Sequence, residues 1–586
     1  MSNLDQLRQE ILDQNPTDEQ REAIFSDDLE YLLRAAPGSG KTWTSSRRFI
    51  WRGANWPYAA GGLALLSFTN TAVREFETAT KKVGRKELLS DPNYLGTFDA
   101  FVERFIVGPF GHLITGGNRR PRLFSGPRPG DWGNQSLLAC APIDANRTQT
   151  IPAWEIVPYP VKKEVRFKAS NQFGGKDLTF NGENPVSVLF RTGRYAHAHR
   201  VYMADRILKA HPHLTKCLAR RFPEIVVDEA QDTNIWLLLL LNRMHKAGAK
   251  ITLIGDPDQC IYEFSMASAT SLQQLKEAWQ IPEKPLSKSF RCNDVIAQAV
   301  CNISGNSQLR GSGPPLTNVH GAYIVRDSAK GFATSVNKYE AVLAKANIHQ
   351  RDAAIVCRGN VQLETLRGQV NYSKLKGKTS ELALAAFYRD VRKDFHRAFK
   401  MVSAVIEEIT KDAGFWEIIE NNPESEQARD AKLKIWQFVR SSTGLPSINT
   451  SGADWVEELR KNLSLMFKGF GMTQLPTLGH FIKKTGLAVE QLTLPLFQPH
   501  TLFPPIRQET IHQVKGESID GVLVVGSSKF FNSVVQAITA NTNEEERRLA
   551  YVAMTRARHL LVVGLPKAHF DEHEKLWNSW GFKTLD

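Results

Sequence analysis

The sequence is sparing with cysteine. Its six cysteines (Cys140, Cys217, Cys260, Cys292, Cys301 and Cys357) are scattered through 586 residues, and no two form a CxxC pair. That argues against a zinc ribbon or an iron–sulfur cluster and fits reduced thiols in a cytosolic protein. Long apolar runs are missing too. The stretch WLLLLLN is far too short to span a bilayer, so no membrane partner is expected. The opening MSNLDQLRQEILDQ is charged and helical in pattern, unlike a secretion signal, so the expected location is the cytoplasm. There is no internal repeat and no low-complexity tract. Acidic residues are in deficit: 61 Asp and Glu stand against 74 Lys and Arg, a net charge of +13. Such an excess fits a polyanionic partner, most simply nucleic acid, although it would also serve solubility.

What is present describes a globular protein, with 42% hydrophobic and 23% charged residues. The length allows about three or four ordinary domains. Short apolar strands alternate with helical patterns in two regions. The first holds GLALLSF, EIVVDEA and KITLIGD; the second holds AAIVCRG, DGVLVVG and HLLVVGL. Strands buried on both faces belong to parallel α/β sheets. The expected fold is α/β, with two cores that are each interrupted by an insertion. The first core takes residues 1–102 and 201–280, around a basic Pro- and Gly-rich insertion at 103–200. The second takes 281–370 and 501–586, around a mostly helical insertion at 371–500. In the latter, Ala398, Val402, Val405 and Ile409 recur at helical spacing and read as core packing.

The stretch YLLRAAPGSGKTWTSSRRF reads as a phosphate cradle. Leu32 and Leu33 end a buried strand. Ala36, Pro37, Gly38, Ser39 and Gly40 form a loop, and Lys41 and Thr42 open a helix. Glycines let backbone N–H groups close around a phosphate, and the helix N-terminus adds positive potential. Lys41 would reach the β- and γ-phosphates of ATP, and Thr42 would hold Mg²⁺. The usual first glycine of this pattern is Ala35 here. In EIVVDEAQDTN an apolar strand delivers Asp228 for Mg²⁺ and Glu229 to deprotonate the attacking water. In ITLIGDPDQCIYEF, Gln259 is placed to report the γ-phosphate. Tyr262 and Phe264 beyond it suggest base stacking, although either alone is more often core. NEEERRLAYVAMTRARHLL carries Arg547, Arg548, Arg556 and Arg558. Arg556 is the candidate to neutralise transition-state charge, and Arg558 reads equally as a surface residue.

Together and in this order, these blocks resemble the UvrD/Rep-like helicases of superfamily 1. PTDEQREAI is similar to that family's Q motif, which implies that Gln20 reads adenine. LLSFTNTAVREF and GTFDAF resemble its DNA-contacting motifs and implicate Phe68, Thr69, Asn70, Thr97 and Phe98. LSKSFRCN resembles the motif in which an aromatic, here Phe290, stacks on adenine and an arginine, here Arg291, meets the γ-phosphate. TIHQVKGESIDGVLVV resembles the coupling motif, with His512, Lys515 and Gly516. Trp43 stands where related helicases often carry an arginine against adenine. Trp43 and Phe290 would then sandwich the base; the competing reading buries Trp43 in the core.

The resemblance implies two RecA-like domains with ATP and Mg²⁺ in the cleft between them. It further implies 3′-to-5′ movement on single-stranded DNA and unwinding of duplex DNA. The basic insertion, with Arg119, Arg120, Arg122, Arg128, Lys162, Lys163 and Arg166, would hold the duplex. Two departures stand out: Ser265 replaces a coupling arginine and Ser518 a ribose-binding glutamate. Some members of the wider family act in antiphage defence beside a nuclease, as in the Gabija system. A DNA-stimulated NTPase that senses without unwinding is therefore the rival expectation. No nuclease constellation is evident here, so a nuclease would be a separate partner.

The charge reading makes one prediction. Oligonucleotide affinity, measured by fluorescence anisotropy, falls at least tenfold between roughly 50 and 200 mM salt, as counterion release requires. Affinity that barely responds to salt would refute it.

Overall fold

In the computed structural model, the residues described are 3–117, 120–124, 134–144, 147–161, 164–170, 174–180, 182–261, 269–304, 309–328, 332–366, 378–390, 393–410, 425–441, 443–470, 477–483, 506–542 and 544–585. Six short strands build the first sheet: β1 (Leu32–Ala35), β2 (Leu63–Ser67), β3 (Tyr94–Thr97), β4 (Glu224–Val227), β5 (Lys250–Gly255) and β6 (Glu283–Leu286). Their order is β6-β1-β5-β4-β2-β3, and every neighbouring pair is parallel. Alternation divides their side chains between two cores. Leu32, Ala64, Leu66, Ile225 and Val227 enter one face; Leu33, Leu63, Leu65, Val226 and Ile254 enter the other. This is why strands such as β2, β4 and β5 read as largely apolar runs.

The second sheet comprises β7 (Ala322–Asp327), β8 (Ala353–Cys357), β9 (Arg507–Thr510), β10 (Ile519–Val525), β11 (Ala557–Pro566) and β12 (Lys583–Thr584). Its order is β9-β8-β10-β11-β7-β12. The β8–β10, β10–β11, β11–β7 and β7–β12 pairs are parallel. The two parallel α/β sheets agree with the expected fold class. The boundary drawn at residue 281 needs correcting, because β6 pairs with β1 from Leu32↔Glu283 to Ala35↔Leu286. The segment EKPL carries only one apolar residue besides proline, too weak a signal to assign it to a sheet.

The first insertion holds the antiparallel hairpin Leu138–Asp144/Arg147–Pro152. It also holds a three-stranded antiparallel sheet of Ile156–Val161, Glu164–Ala169 and Asp177–Leu178. Ile151, Ile156, Ala169 and Leu178 join the same apolar cluster as the first sheet, so this insertion shares the core of its host. The other compact unit, residues 329–336 and 359–508, packs helices Thr379–Asp390, Phe395–Thr410, Glu426–Arg440 and Gly452–Gly469. Its core contains Trp455 and the stripe Ala398, Val402, Val405 and Ile409, all buried as their spacing requires. Among the described residues no helix is long and apolar enough to cross a membrane.

One ion pair ties the helix after the phosphate loop to the sheet. Arg52, in the last turn of Lys41–Ala54, grips both carboxylate oxygens of Glu224 at the root of β4. Both residues are buried. Arg52→Met would strand a buried carboxylate and should cost about 3–5 kcal/mol in urea unfolding. The further change Glu224→Leu should recover most of that loss. No recovery in the double variant would mean that the pair is not what the site needs.

Candidate nucleotide and nucleic-acid site

Because the first sheet is parallel, the loops after β1, β2, β3, β4 and β5 all open at its carboxyl edge. That edge is where open α/β sheets bind ligands. The loop after β1 turns through Gly38 and Gly40 with φ of +75° and +77°. A Cβ on Gly38 would lie 2.5 Å from the Arg291 Cβ, and one on Gly40 would lie 2.8 Å from Gln20 Nε2. The loop is buttressed from outside: Ser289 Oγ donates to Pro37 O at 2.7 Å, and Phe290 N donates to Gly38 O at 2.8 Å. Gln20 is buried; its Nε2 donates to Ser39 O at 3.0 Å and its Oε1 accepts from Thr17 N at 3.0 Å. The proposed adenine reader therefore also braces the phosphate loop.

Lys41 forms an ion pair with Glu229. Burial opposes the Lys41 charge, but Glu229 and Asp228 outweigh it and hold the lysine above its ordinary range. One lysine cannot neutralise both carboxylates, of which Asp228 is the more deeply buried. Burial therefore pushes Asp228 up, while Lys41, aided by Lys515 and Gln231, overcomes burial at Glu229 and holds it down. Glu229 also sits in the left-handed region at φ 53°, ψ 42°, a strained conformation for a non-glycine residue. Both carboxylate oxygens of Asp228 are fully buried with no hydrogen-bond partner among the described residues. Such an orphaned carboxylate fits a hard cation such as Mg²⁺, which accepts one or two carboxylates and completes its shell with water and phosphate oxygens.

The remaining cations come from the turn after β6 and from the segments before β10 and β11 of the second sheet. Arg556 is buried; its Nη2 lies 3.3 Å from Gln259 Oε1 and 2.9 Å from Thr555 Oγ1. Burial and the neighbouring Arg291 push its guanidinium down to about 9. Arg291 is held by Ser518 Oγ at 2.7 Å, Thr555 O at 3.2 Å and Gly516 O at 3.4 Å. Thus Ser518, at the departing position, anchors an arginine of the same cleft. Lys515 Nζ meets the two oxygens of Asp232 at 2.6 and 2.8 Å, with both side chains 11% exposed. Asp232 was not singled out in the sequence, although it closes the DEAQD block.

A cavity of about 1120 Å³ joins these groups to the candidate DNA residues. Its lining includes Thr42, Glu229, Gln259, Lys515 and Gly516, together with Phe68, Thr69, Asn70, Thr97 and Phe98. Thr69 and Thr97 cap the helices that follow β2 and β3, accepting from Ala72 N and Ala100 N. Phe68 and Phe98 pack ring to ring at 5.3 Å; Phe98 is buried and Phe68 partly so. His512 Nε2 lies 3.2 Å from Ile261 O, at the threshold of the stretch that holds Tyr262 and Phe264. Those two aromatics lie outside the described residues, as do Arg119, Arg128, Lys162 and Lys163. Arg120 pairs with Glu103 at 2.9 Å, Arg122 lies in the short strand Arg122–Leu123, and Arg166 in Glu164–Ala169. Arg558 pairs with Asp520 at 2.9 Å on an exposed surface.

A phosphate loop, an acidic strand end and the nearby arginines Arg291 and Arg556 are the parts of a P-loop NTPase site. The UvrD/REP helicase N-terminal domain family model matches residues 16–120 and 168–280, and the UvrD-like helicase C-terminal domain model matches 458–567. Together they span more than half of the chain, which belongs to the UvrD/Rep-like helicases. DNA helicase II of Haemophilus influenzae is 22% identical over 94% of this chain and 84% of its own length. DNA helicase II of Escherichia coli is 22% identical over 93% and 84%. The ATP-dependent DNA helicase Rep of Buchnera aphidicola subsp. Acyrthosiphon pisum is 21% identical over 92% and 93%.

Trp43 is partly buried beside the core, with the Arg47 guanidinium 4.5 Å over its ring, while Phe290 is 49% exposed. Both side chains approach Gly40, each with a carbon 3.9 Å from where a Cβ would stand. ATP is expected to quench tryptophan emission, and Trp43→Phe to remove most of that change. Quenching that survives intact in Trp43→Phe would assign Trp43 to the core.

Proposed function

We propose that this chain is an ATP-dependent DNA helicase that moves 3′ to 5′ along single-stranded DNA and opens duplex DNA ahead of it. The observation that carries the reading is the shared cavity, which runs from Thr42, Glu229 and Gln259 to Phe68, Asn70 and Thr97. Nucleotide and strand would meet across one set of strand ends, so a change at either is felt at the other. The names of the relatives, DNA helicase II and Rep, support ATP use and a DNA substrate.

In this reading the phosphate-loop amides and Lys41 bind the β- and γ-phosphates. To do so Lys41 must leave Glu229, which then becomes free to orient and deprotonate the attacking water. Thr42 and Asp228 would hold Mg²⁺, which neutralises phosphate charge when bound. Arg291 and Arg556 stabilise the charge that builds on the transferred phosphoryl group. Gln259, already bonded to Arg556, reports the loss of the γ-phosphate. Gln20 and the aromatic faces of Trp43 and Phe290 would bind adenine. Gly516 belongs to the same cleft wall. Phe68, Thr69, Asn70, Thr97, Phe98, Tyr262, Phe264 and His512 would grip DNA. The basic insertion would hold the duplex.

Lys41→Ala should weaken ATP binding and abolish turnover. Glu229→Gln should bind ATP and hydrolyse it about 10²–10⁴-fold more slowly, the loss of a general base. Hydrolysis and strand displacement are followed with a tailed duplex. Glu229→Gln protein with wild-type DNA-stimulated ATPase would remove Glu229 from its role; hydrolysis without strand displacement would leave a translocating or sensing NTPase.

A further inference from the structure

The turn after β5, Asp256–Gln259, carries the γ-phosphate reporter and is held from both sides. From the first sheet comes Arg34, a charged residue in the inner strand β1, immediately before the phosphate loop. Its Nη2 donates to Asp258 Oδ2 at 2.7 Å, and its Nη1 lies 3.5 Å from Glu283 Oε1. From the helix Glu545–Met554 on the second sheet comes Tyr551, wholly buried, whose Oη donates to Asp256 Oδ2 at 3.2 Å. The same Asp256 oxygen accepts from Gln259 Nε2 at 2.8 Å. With Nε2 so occupied, Gln259 Oε1 is turned toward Arg556 Nη2. Just beyond the turn, Arg548 Nε donates to Cys260 O at 2.7 Å.

We infer that Tyr551 and Arg34 are positioning residues for the reporter glutamine: they fix the two aspartates of the turn so that Gln259 presents its carbonyl to Arg556.

The inference rests on the ATPase reading of the cleft. Its physical basis is the amide's two ends. An amide whose orientation is unfixed can offer either end to Arg556, and the NH₂ end repels a guanidinium. Asp256, an acceptor, selects the NH₂ end and so aims the oxygen. Tyr551 keeps Asp256 in place from the second sheet, and Arg34 ties Asp258 to the strand that leads into the phosphate loop. A side chain from each sheet thus bears on one turn, and movement of either sheet shifts the reporter. Solubility does not account for Arg34, which is partly buried in a strand otherwise made of Leu32, Leu33 and Ala35.

The test is a double-mutant cycle on DNA-stimulated hydrolysis. Tyr551→Phe removes one hydroxyl and keeps the ring. It should lower kcat about fivefold, the effect of one lost hydrogen bond, with KM for ATP changed less than about twofold. In a Gln259→Ala background the same substitution should have almost no further effect, because its route of action is gone. A merely structural tyrosine would cause the same loss in both backgrounds, and that result overturns the inference, as does wild-type kcat in Tyr551→Phe. If Tyr551→Phe fails to fold, Arg34→Gln is put through the same cycle, with Arg34→Lys expected to restore part of the rate; equal losses with and without Gln259 again overturn it. Wild-type protein without any DNA-stimulated hydrolysis would sink the ATPase reading itself, whereas normal hydrolysis with additive losses sinks the positioning role alone.

Discussion

Parallel strand pairing is the constraint on which the rest of the structure depends. In a parallel sheet every strand ends at the same edge, so each loop that follows a strand opens on one side. Five such loops here carry Lys41, Phe68, Phe98, Glu229 and Gln259 to a common rim, although these residues are spread over more than two hundred positions. Sheet order then sorts them. β1, β5 and β4 are neighbours and bring together the phosphate loop, Gln259 and the acidic pair. β2 and β3 lie to one side and carry the candidate strand-gripping residues. No long-range side-chain contact is needed to assemble the site; the backbone ladder does it.

Charge imposes the second constraint. The rim brings the wholly buried Asp228 together with the partly buried Glu229 and Asp232, an arrangement that is costly without cations. Lys41 answers Glu229 and Lys515 answers Asp232, while Asp228 is left with neither hydrogen bond nor ion pair among the described residues. On the other wall Arg291 and Arg556 crowd each other, and burial with that repulsion lowers the Arg556 pKa. A site with one carboxylate too many and two guanidinium groups pressed together would suit a ligand that brings a divalent cation and polyphosphate at once. Neither imbalance stabilises the protein by itself.

Much of this was legible in the sequence, for definable reasons. Strands such as LALLS and IDGVLVV are mainly apolar because both faces are covered, and that pattern locates them. The phosphate loop is legible because its glycines, lysine and threonine each answer a separate physical demand within eight residues. Three kinds of feature were not legible. β6 carries too few apolar side chains to register as a strand, so its membership of the first sheet appears only in its ladder with β1. Pairings between distant segments, such as Lys515–Asp232 and Tyr551–Asp256, depend on how the two sheets face each other, which no local pattern encodes. Burial of an individual motif residue is likewise invisible: Phe98 reads as a contact residue, yet it is packed against Phe68 and the core. Arg34 did leave a signal, a charge inside an apolar strand, and such an exception to pattern is where function most often departs from folding.

The bonds that join the two walls of the cleft share one property. Lys515–Asp232, Arg556–Gln259, Tyr551–Asp256, Arg548–Cys260 and His512–Ile261 are all polar. The apolar burial lies mainly within each half, in clusters built on the separate sheets. This division matters for movement. Separating apolar surfaces costs free energy in proportion to area, with nothing returned by water. Separating hydrogen-bonded groups lets water replace each partner, so the net cost per bond is only about 1 kcal/mol. Apart from Ala36 and Ile261, which pack into the cluster of the second sheet, such a cleft would open by exchanging polar bonds rather than by parting the cores. The energy available from binding a nucleotide is of the same order as the few bonds to be exchanged. A cleft sealed by leucines would be more stable and would not cycle.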